Sequence, residues 1–357
     1  EIMPSLVGSE MCIRDSLLSE VDVQHLCTLL DKAHNIIVTC HVSPDGDAMG
    51  AVLAFSHFLW RKGKNAQPVV PNIFPDFLKW MPGVERVRIY EKHENEVAPL
   101  VAAADLIICL DFNAPDRLQG LQKPVTDSQS PKIMIDHHLD PVDFCDWVVS
   151  RQEMSSTCEL LYRILVQLEG LDPMTYEEAV CLYTGMMTDT GCFSYNSNRS
   201  DIYYIIGRLL TKGIDKDKIY RNVFFNYSAE RFRLMGYMLY VKLEYFPEYH
   251  ASLMTLTREE QKRFSHKKGD TEGFVNIPLQ IGKSRLSVFL REDTERHNIR
   301  VSLRSVDDFP CNRMAAEFFN GGGHLNASGG ELSCTMDEAV QIVRKALKKY
   351  ASLLTDR

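Results

Sequence analysis

The sequence contains no apolar run approaching the roughly 20 residues that a membrane-spanning helix needs. We therefore expect no membrane-embedded protein. The first sixteen residues also lack the basic stretch followed by an apolar stretch that marks a secretory signal. Because residues 1–16 fit no element of the fold that the rest of the chain predicts, we expect them to be a non-native or disordered leader.

Positive charge is also scarce, since the 357 residues carry a net charge of −8 at pH 7. A protein that coats long nucleic acid depends on an excess of lysine and arginine, so we exclude long duplexes as partners. A short phosphorylated substrate is still compatible with this charge, because a local pocket needs only a few cationic side chains.

The ten cysteines form no C-x-x-C pair, and several lie inside apolar runs, as Cys109 does in Ile107–Leu110. Such cysteines are typical of small buried hydrophobic residues in a reducing compartment. We therefore expect free thiols and a cytoplasmic protein.

What the sequence does contain is a series of short, β-branched apolar runs separated by helical stretches. The runs are Ile36–Cys40, Pro68–Val70, Leu106–Leu110 and Lys132–Ile135. Because they do not alternate with polar residues, they are typical of strands buried on both faces of a parallel sheet. The alternation of strands and helices predicts a doubly wound α/β domain over residues 17–228.

Beyond the first domain the strand pattern changes. In Ser284–Arg291, one face carries Arg285, Ser287, Phe289 and Arg291 and the other carries Leu286, Val288 and Leu290. Arg300–Arg304 alternates in the same way, with Arg300, Ser302 and Arg304 opposite Val301 and Leu303. This pattern predicts a sheet with one packed face and one solvent-exposed face. We expect a connecting segment over residues 229–250 and a smaller α+β domain over 251–357, closed by a helix from Met336 to Tyr350.

Acidic and histidine residues cluster at four places along the first domain, and three of the clusters directly follow a predicted strand. The segments H-V-S-P-D-G-D-A, L-D-F-N, D-H-H and T-D-T-G contain His41, Asp45, Asp47, Asp111, Asp136, His137, His138 and Asp189. In open α/β sheets, ligands bind beyond the carboxyl ends of the strands. We therefore expect these side chains to meet at one edge of the sheet.

Each cluster taken alone has an ordinary structural alternative. The Asp45–Asp47 segment fits a turn or a helix cap, Asp111 fits a helix N-cap, and Gly191 fits a helix C-terminal turn. Adjacent histidines occur on many protein surfaces. An ordinary helix C-terminal turn does not explain Asp189 well. A carboxylate at a helix C-terminus opposes the helix dipole and needs a positive partner such as a bound cation.

The combination of residue types predicts a two-metal phosphoesterase. Carboxylates with a few imidazoles and no thiolate suit Mn²⁺, with Mg²⁺ or Co²⁺ as substitutes. Two such ions roughly 3.5–4 Å apart activate water at neutral pH and stabilise charge on phosphoryl oxygens.

The second domain carries a candidate anion-binding segment, Gly321-Gly322-Gly323-His324, preceded by Arg304-Ser305. Successive glycines let backbone N–H groups approach an anion, and an arginine binds phosphate with two parallel hydrogen bonds. A flexible turn is the alternative for the glycines. In the first domain, Phe193 and Tyr195 either stack a nucleobase or pack in the core.

These motifs, in this order, resemble those of the DHH phosphoesterase family, in the subfamily that carries a DHHA1 substrate domain. The resemblance covers nearly all of Leu17 to Tyr350. Within the family, the two-domain length is similar to the group of short-oligonucleotide ribonucleases (nanoRNases) that also dephosphorylate pAp. This implies a catalytic α/β domain and a substrate domain, with the active site in the cleft between them.

The resemblance also implies two metal sites that share Asp111. The first would use His41, Asp45 and Asp111. The second would use Asp47, Asp111, His137 and Asp189. Asp136 would orient the histidine loop, and His138 would contact the scissile phosphate or assist the leaving group.

In the second domain, the resemblance assigns the binding of a phosphate or sugar to Arg304, Ser305, Gly321, Gly322, Gly323 and His324. Closure of the cleft would exclude water. The implied function is hydrolysis of short RNA oligonucleotides to mononucleotides and of pAp to AMP. Two alternatives stay open: a stand-alone cyclic-dinucleotide or pApA phosphodiesterase, and a nucleotide-binding regulator without catalysis. The sequence also leaves open whether the chain forms a homodimer.

Overall fold

The computed structural model describes residues 17–225, 227–267 and 269–355. The predicted leader, residues 1–16, lies outside the described residues. The chain divides into two compact units, the first ending at residue 226 and the second beginning at Tyr227. Within the described part of the chain, no helix combines the length and the apolarity needed to cross a bilayer.

The first unit is built on a sheet of six parallel strands. They are β1 (Asn35–Cys40), β2 (Asn65–Val70), β3 (Arg88–Ile89), β4 (Leu106–Leu110), β5 (Lys132–Asp136) and β6 (Trp147–Ser150). The spatial order is β3-β2-β1-β4-β5-β6, with every neighbouring pair parallel. The chain therefore reverses its direction of travel across the sheet between β1 and β4, which is where α/β sheets bind ligands.

Helices cover both faces of this sheet. They are α1 (Glu20–Lys32), α2 (Gly46–Arg61), α3 (Glu94–Ala102), α4 (Gln122–Asp127), α5 (Thr157–Glu169), α6 (Tyr176–Asp189), α7 (Ser200–Leu210) and α8 (Lys216–Phe224). Every residue of β4 and β5 is buried, because separate hydrophobic clusters lie on the two faces. The predicted doubly wound α/β domain is confirmed.

Two glycines let helices α2 and α6 approach closely beside the sheet. A Cβ added to Gly50 would lie 2.7 Å from the Cys181 carbonyl oxygen and 3.2 Å from the Gly185 Cα. A Cβ added to Gly185 would lie 2.8 Å from the Asp47 carboxylate. Since any side chain at either position would force the helices apart, the two glycines set the distance at which α6 passes Asp47.

The second unit is built on a mixed sheet. Its strands are β7 (Glu244–Phe246), β8 (Ala251–Leu256), β9 (Leu286–Glu292), β10 (Ile299–Ser305), β11 (Gly322–Gly323) and β12 (Ala327–Leu332). The spatial order is β11-β12-β10-β9-β8-β7, with β8 and β9 parallel and the other pairs antiparallel. Its helices are α9 (Ala229–Tyr237), α10 (Arg258–Arg263), α11 (Cys311–Phe318), α12 (Met336–Lys349) and α13 (Ala351–Thr355). The predicted α+β class of this domain is confirmed.

The prediction of one solvent-exposed face holds for β10 and is wrong for β9. Alternate residues of β10 are buried and partly exposed, whereas the first five residues of β9 are all buried. On the predicted exposed face, Phe289 packs in a hydrophobic cluster with Leu234 of α9 and with Phe274. These covering residues lie far from β9 in sequence, so the local alternation could not reveal them.

Candidate metal centre

The eight predicted side chains of the first unit meet at the carboxyl edge of the parallel sheet. His41 follows β1, Asp111 follows β4, and Asp136 is the last residue of β5, with His137 and His138 directly after it. Asp45 caps α2, Asp47 lies in its first turn, and Asp189 is the last residue of α6. Contacts of 4.0 Å or less connect all eight side chains into one cluster.

The first candidate ligand group consists of His41, Asp45 and Asp111. The His41 Nε2 atom lies 3.9 Å from Asp45 Oδ2 and 3.4 Å from Asp111 Oδ2. The other ring nitrogen, Nδ1, lies 2.8 Å from the Val42 carbonyl oxygen. A backbone acceptor at Nδ1 leaves Nε2 facing the carboxylates, which is how a metal-ligating histidine is oriented.

The second ligand group surrounds His137, whose Nε2 atom faces three carboxylates. It lies 4.0 Å from Asp47 Oδ2, 3.7 Å from Asp111 Oδ1 and 3.6 Å from Asp189 Oδ2. The Nδ1 atom lies 3.2 Å from the Met154 carbonyl oxygen. The two oxygens of Asp111 thus face different imidazoles, so this carboxylate has one oxygen to offer to each group.

Asp111 has an uncommon backbone conformation. Its φ of 64° lies in the left-handed region, which costs a non-glycine residue on the order of 1 kcal/mol. Its predicted alternative, a helix N-cap, is wrong, because Ala114 occupies the N-cap of the following helical segment. The Asp45 cap, in contrast, is present, since its carboxylate accepts from the backbone N–H groups of Asp47 and Ala48.

Asp136 fixes the orientation of His138. Its Oδ1 atom accepts a 2.7 Å hydrogen bond from His138 Nδ1, and its Oδ2 atom accepts from the His138 backbone N–H at 3.0 Å. Asp136 is completely buried. His138 Nδ1 also lies 3.8 Å from Asp111 Oδ1, so an alternative ligand group of Asp111, Asp136 and His138 exists in the same cluster.

The N-terminus of α5 supports the cluster, and sequence reasoning missed it. The Asp47 carboxylate accepts from the backbone N–H groups of Thr157 at 2.6 Å and Cys158 at 2.9 Å. The Thr157 hydroxyl donates to Asp111 Oδ1 at 2.8 Å. A helix N-terminus stabilises a negative charge in this position. In the sequence, the pattern Ser156-x-x-Glu159 indicates a helix N-terminus at this place.

The electrostatics favour cations. Burial, together with the charge of Asp111, raises the pKa of Asp47 to about 7. Burial and the charge of Asp47 likewise raise the pKa of Asp189 well above its ordinary value. Burial opposes protonation of His41 and His137, but the neighbouring carboxylates outweigh it and raise the pKa of each ring to about 9.

The donor set therefore fits divalent metal ions. It offers buried carboxylate oxygens and imidazole nitrogens, and among the described residues no cysteine joins a metal-binding group. Oxygen-rich sites with imidazole suit Mn²⁺ and Mg²⁺ better than structural zinc. Without cations, the raised pKa values of Asp47 and Asp189 favour protonated carboxyl groups, and bound ions would displace those protons.

In the second unit, the three glycines of the predicted anion-binding segment differ in their surroundings. A Cβ on Gly321 would lie 1.8 Å from the Gly329 carbonyl oxygen, and one on Gly323, with φ of 135°, would lie 2.6 Å from the Ala327 carbonyl oxygen. A Cβ on Gly322 would have nothing within 4 Å. Gly321 and Gly323 are thus required by the close pairing of β11 with β12, whereas Gly322 alone borders open space.

Three polar residues beside these glycines donate hydrogen bonds to backbone carbonyl groups. The Arg304 side chain is partly exposed and donates to the Leu303 carbonyl at 2.9 Å. The buried Ser305 hydroxyl donates to the Phe309 carbonyl at 2.8 Å and accepts from Asn326. The His324 backbone N–H donates to the Ala327 carbonyl. The intramolecular partners of Ser305 give it a structural role in this turn.

The two aromatic residues after Asp189 also differ. Phe193 packs against Tyr183 and Tyr203, with ring centroids 5.9 Å and 6.5 Å apart, so its packing alternative holds. Tyr195 lies over Gly191 and keeps 49% of its surface exposed. Of these two aromatic residues, stacking on a nucleobase therefore stays a prediction for Tyr195 alone.

A doubly wound sheet with carboxylates and imidazoles gathered at its carboxyl edge is the architecture of a metal-dependent hydrolase. Comparison with known proteins identifies the family. Residues 35–186 match the N-terminal domain of the DHH family, and residues 255–352 match the DHHA1 domain. The chain belongs to the DHH phosphoesterase family, as the sequence motifs predicted.

Several relatives align over most of the chain. An exopolyphosphatase-related protein from Bacteroides fragilis is 51% identical with a TM-score of 0.91, covering 96% of this chain and 99% of that chain. The bifunctional oligoribonuclease and PAP phosphatase NrnA of Thermus thermophilus is 29% identical, covering 88% of this chain and 89% of that protein. The cyclic-di-AMP phosphodiesterase PdeA of Listeria monocytogenes is 23% identical over 94% of this chain, but over only 51% of PdeA.

Proposed function

We propose that this protein hydrolyses short RNA oligonucleotides to mononucleotides and pAp to AMP, with two Mn²⁺ ions as the fitting cofactors. The observation that carries the proposal is the position of Asp111, whose two carboxylate oxygens face His41 and His137 in separate ligand groups. The similarity to NrnA over 88% of this chain and 89% of that protein supports the substrate class.

The proposed ligands divide between two ions. We assign the first to His41, Asp45 and Asp111. We assign the second to Asp47, Asp111, His137 and Asp189. Bound divalent ions supply a nucleophile at neutral pH and neutralise charge on the phosphoryl oxygens.

The remaining residues position the substrate. Asp136 holds the His138 ring through Nδ1, and we assign to this ring contact with the scissile phosphate or assistance to the leaving group. We assign binding of a second phosphate or the sugar to Arg304, Gly322 and His324, in a turn that Ser305, Gly321 and Gly323 shape. Because Gly322 borders open space, it is the one of the three glycines whose backbone a ligand can approach without displacing a strand.

A labelled RNA dinucleotide tests this function. The purified protein with Mn²⁺ should release mononucleotides, and the Asp189→Ala variant should release none. Asp217→Ala is the matched control, because Asp217 is an exposed helix aspartate that pairs only with its neighbour Lys216 among the ion pairs of the described residues. A wild-type protein that leaves dinucleotides, pApA and pAp all intact would contradict the assignment.

A second candidate is a stand-alone cyclic-dinucleotide or pApA phosphodiesterase, which the similarity to PdeA over 94% of this chain supports. The ratio of kcat/KM values for pApA, pAp and a trinucleotide ranks the two enzyme functions. A regulator without catalysis is disfavoured by the complete set of ligand residues. Tight nucleotide binding with no turnover at saturating Mn²⁺ would support the regulator instead.

A further inference from the structure

A buried ionic cluster lies directly behind the metal centre. The Glu159 carboxylate, in the first turn of α5, is completely buried. It accepts from Arg163 Nη2 at 2.8 Å and from Arg199 Nη2 at 2.6 Å. It also accepts from the backbone N–H of Ser155 at 2.8 Å and from its hydroxyl at 2.7 Å. We call Glu159, Arg163 and Arg199 the clamp.

The segment that the clamp holds, residues 154–158, orients three of the proposed metal ligands. Its Met154 carbonyl contacts the His137 ring at Nδ1. Its backbone N–H groups at Thr157 and Cys158 donate to the Asp47 carboxylate. The Thr157 hydroxyl donates to Asp111. A shift of this segment would therefore move a ligand of each proposed ion, including the shared one.

The N-terminus of α5 does not need the clamp as its cap. Ser156 already caps α5, since its hydroxyl accepts from the Glu159 backbone N–H at 3.0 Å. Arg163 already places a guanidinium on the buried carboxylate and also pairs with Asp201 at 3.5 Å. Arg199, whose side chain is 37% exposed, adds a second guanidinium. Arg199 comes from a different segment, at the N-cap of α7, ten residues after Asp189. It thus ties the chain that follows Asp189 to the segment that orients Asp47, Asp111 and His137.

We propose that the clamp is a positioning device for the metal centre, in which Arg199 acts through Glu159 to set the geometry of Asp47, Asp111 and His137. The proposal rests on the proposed function, because it needs these residues to be ligands. Partners that orient metal ligands typically change metal affinity or activity by about 10–100-fold when they are removed.

The test compares Arg199→Met with Arg208→Met. Both arginines are partly exposed, but Arg208 lies on the same helix as a cation–π partner of Tyr204, away from the clamp. Free Mn²⁺ is followed by electron paramagnetic resonance during titration, and kcat is measured at saturating Mn²⁺. We expect Arg199→Met to weaken Mn²⁺ binding and to lower kcat, each about tenfold. The melting temperature of each metal-free variant is measured as well, because removing a partner of a buried carboxylate also lowers stability.

Two further variants show whether Arg199 acts through Glu159. Arg199→Lys keeps the charge without the guanidinium fork and should recover part of the lost Mn²⁺ affinity. Adding Arg199→Met to Glu159→Gln should cause no loss beyond that of Glu159→Gln alone, because the two act on one interaction. If Glu159→Gln does not fold, the Arg199→Met and Arg199→Lys pair decides.

The proposal is overturned if Arg199→Met binds Mn²⁺ and turns over substrate like the wild type, whether or not its melting temperature falls. In that case the proposed function stands and the clamp is only a stabilising ion cluster. If the wild type itself binds no Mn²⁺ and cleaves no dinucleotide, both proposals fail together.

Discussion

The metal centre and the glycine-rich segment are constructed in opposite ways. In the candidate metal centre, the proposed ligand side chains are mostly buried and are held by other groups, as Asp47 is by two backbone N–H groups and His137 is by a carbonyl. In the glycine-rich segment, Gly322 borders open space and Arg304 is partly exposed. Fixed geometry suits charge stabilisation during a reaction, whereas an open backbone suits a ligand that arrives and leaves.

The largest effect should come from removing the shared carboxylate with Asp111→Asn. Asparagine tolerates the left-handed backbone of this position, so the fold should remain intact. Losing a ligand that serves both proposed ions should remove several kcal/mol of charge stabilisation, which corresponds to a fall in kcat of roughly 10³-fold. Steady-state kinetics on a dinucleotide measures it. A variant that retained a tenth of the activity would show that Asp111 does not bridge two ions.

A smaller effect is expected from Asp136→Asn, because Asp136 acts on the orientation of His138. The amide can accept only one of the two hydrogen bonds that the carboxylate accepts from His138. We expect kcat to fall about 10–100-fold while Mn²⁺ affinity stays near that of the wild type. If Mn²⁺ affinity fell as far as in Asp111→Asn, Asp136 would be a metal ligand in the alternative group with Asp111 and His138.

The metal centre should also be sensitive to pH, unlike the neutral glycine backbone. In the metal-free protein the raised pKa values, about 7 for Asp47 and about 9 for His41 and His137, mean that both imidazoles are protonated at pH 7 and that Asp47 is partly protonated. Metal binding must displace them, so Mn²⁺ affinity should rise with pH by about tenfold per unit for each proton released. Calorimetry in two buffers of different ionisation enthalpy measures the release. An affinity that is constant from pH 6 to 9 would contradict it.

The fold, and the meeting of the eight acidic and histidine side chains at one edge of the sheet, could be predicted from the sequence because both depend on local patterns. Unalternating apolar runs indicate buried parallel strands, and the carboxyl ends of such strands lie at one edge of the sheet. The support behind the ligands depends on distant contacts instead. Asp47 and Thr157 are 110 positions apart, and the start of α5 looks like an ordinary capped helix in sequence.

The glycine-rich segment shows the same limit within three residues. Gly321, Gly322 and Gly323 are equivalent in sequence, yet only Gly322 lacks a backbone neighbour that a side chain would strike. The backbone that Gly321 and Gly323 approach belongs to β12. No local pattern in G-G-G-H indicates which of the glycines faces that strand.

The smallest effect in this series should come from Gly322→Ala, with Gly321→Ala as its matched contrast. Because a Cβ at Gly321 would lie 1.8 Å from the Gly329 carbonyl oxygen, Gly321→Ala must displace β11 or β12. We expect it to lower the free energy of unfolding by about 1–3 kcal/mol in denaturant titrations.

Gly322→Ala should leave the free energy of unfolding near that of the wild type, since its Cβ has nothing within 4 Å. If a phosphate or sugar approaches this backbone, the added methyl group should raise KM by a factor of a few and leave kcat almost unchanged, because it affects binding and not the metal centre. Steady-state kinetics on a dinucleotide separates the two parameters. An unchanged KM for dinucleotide and pAp would show that no ligand contacts Gly322, and substrate binding in this unit would then rest on Arg304 and His324.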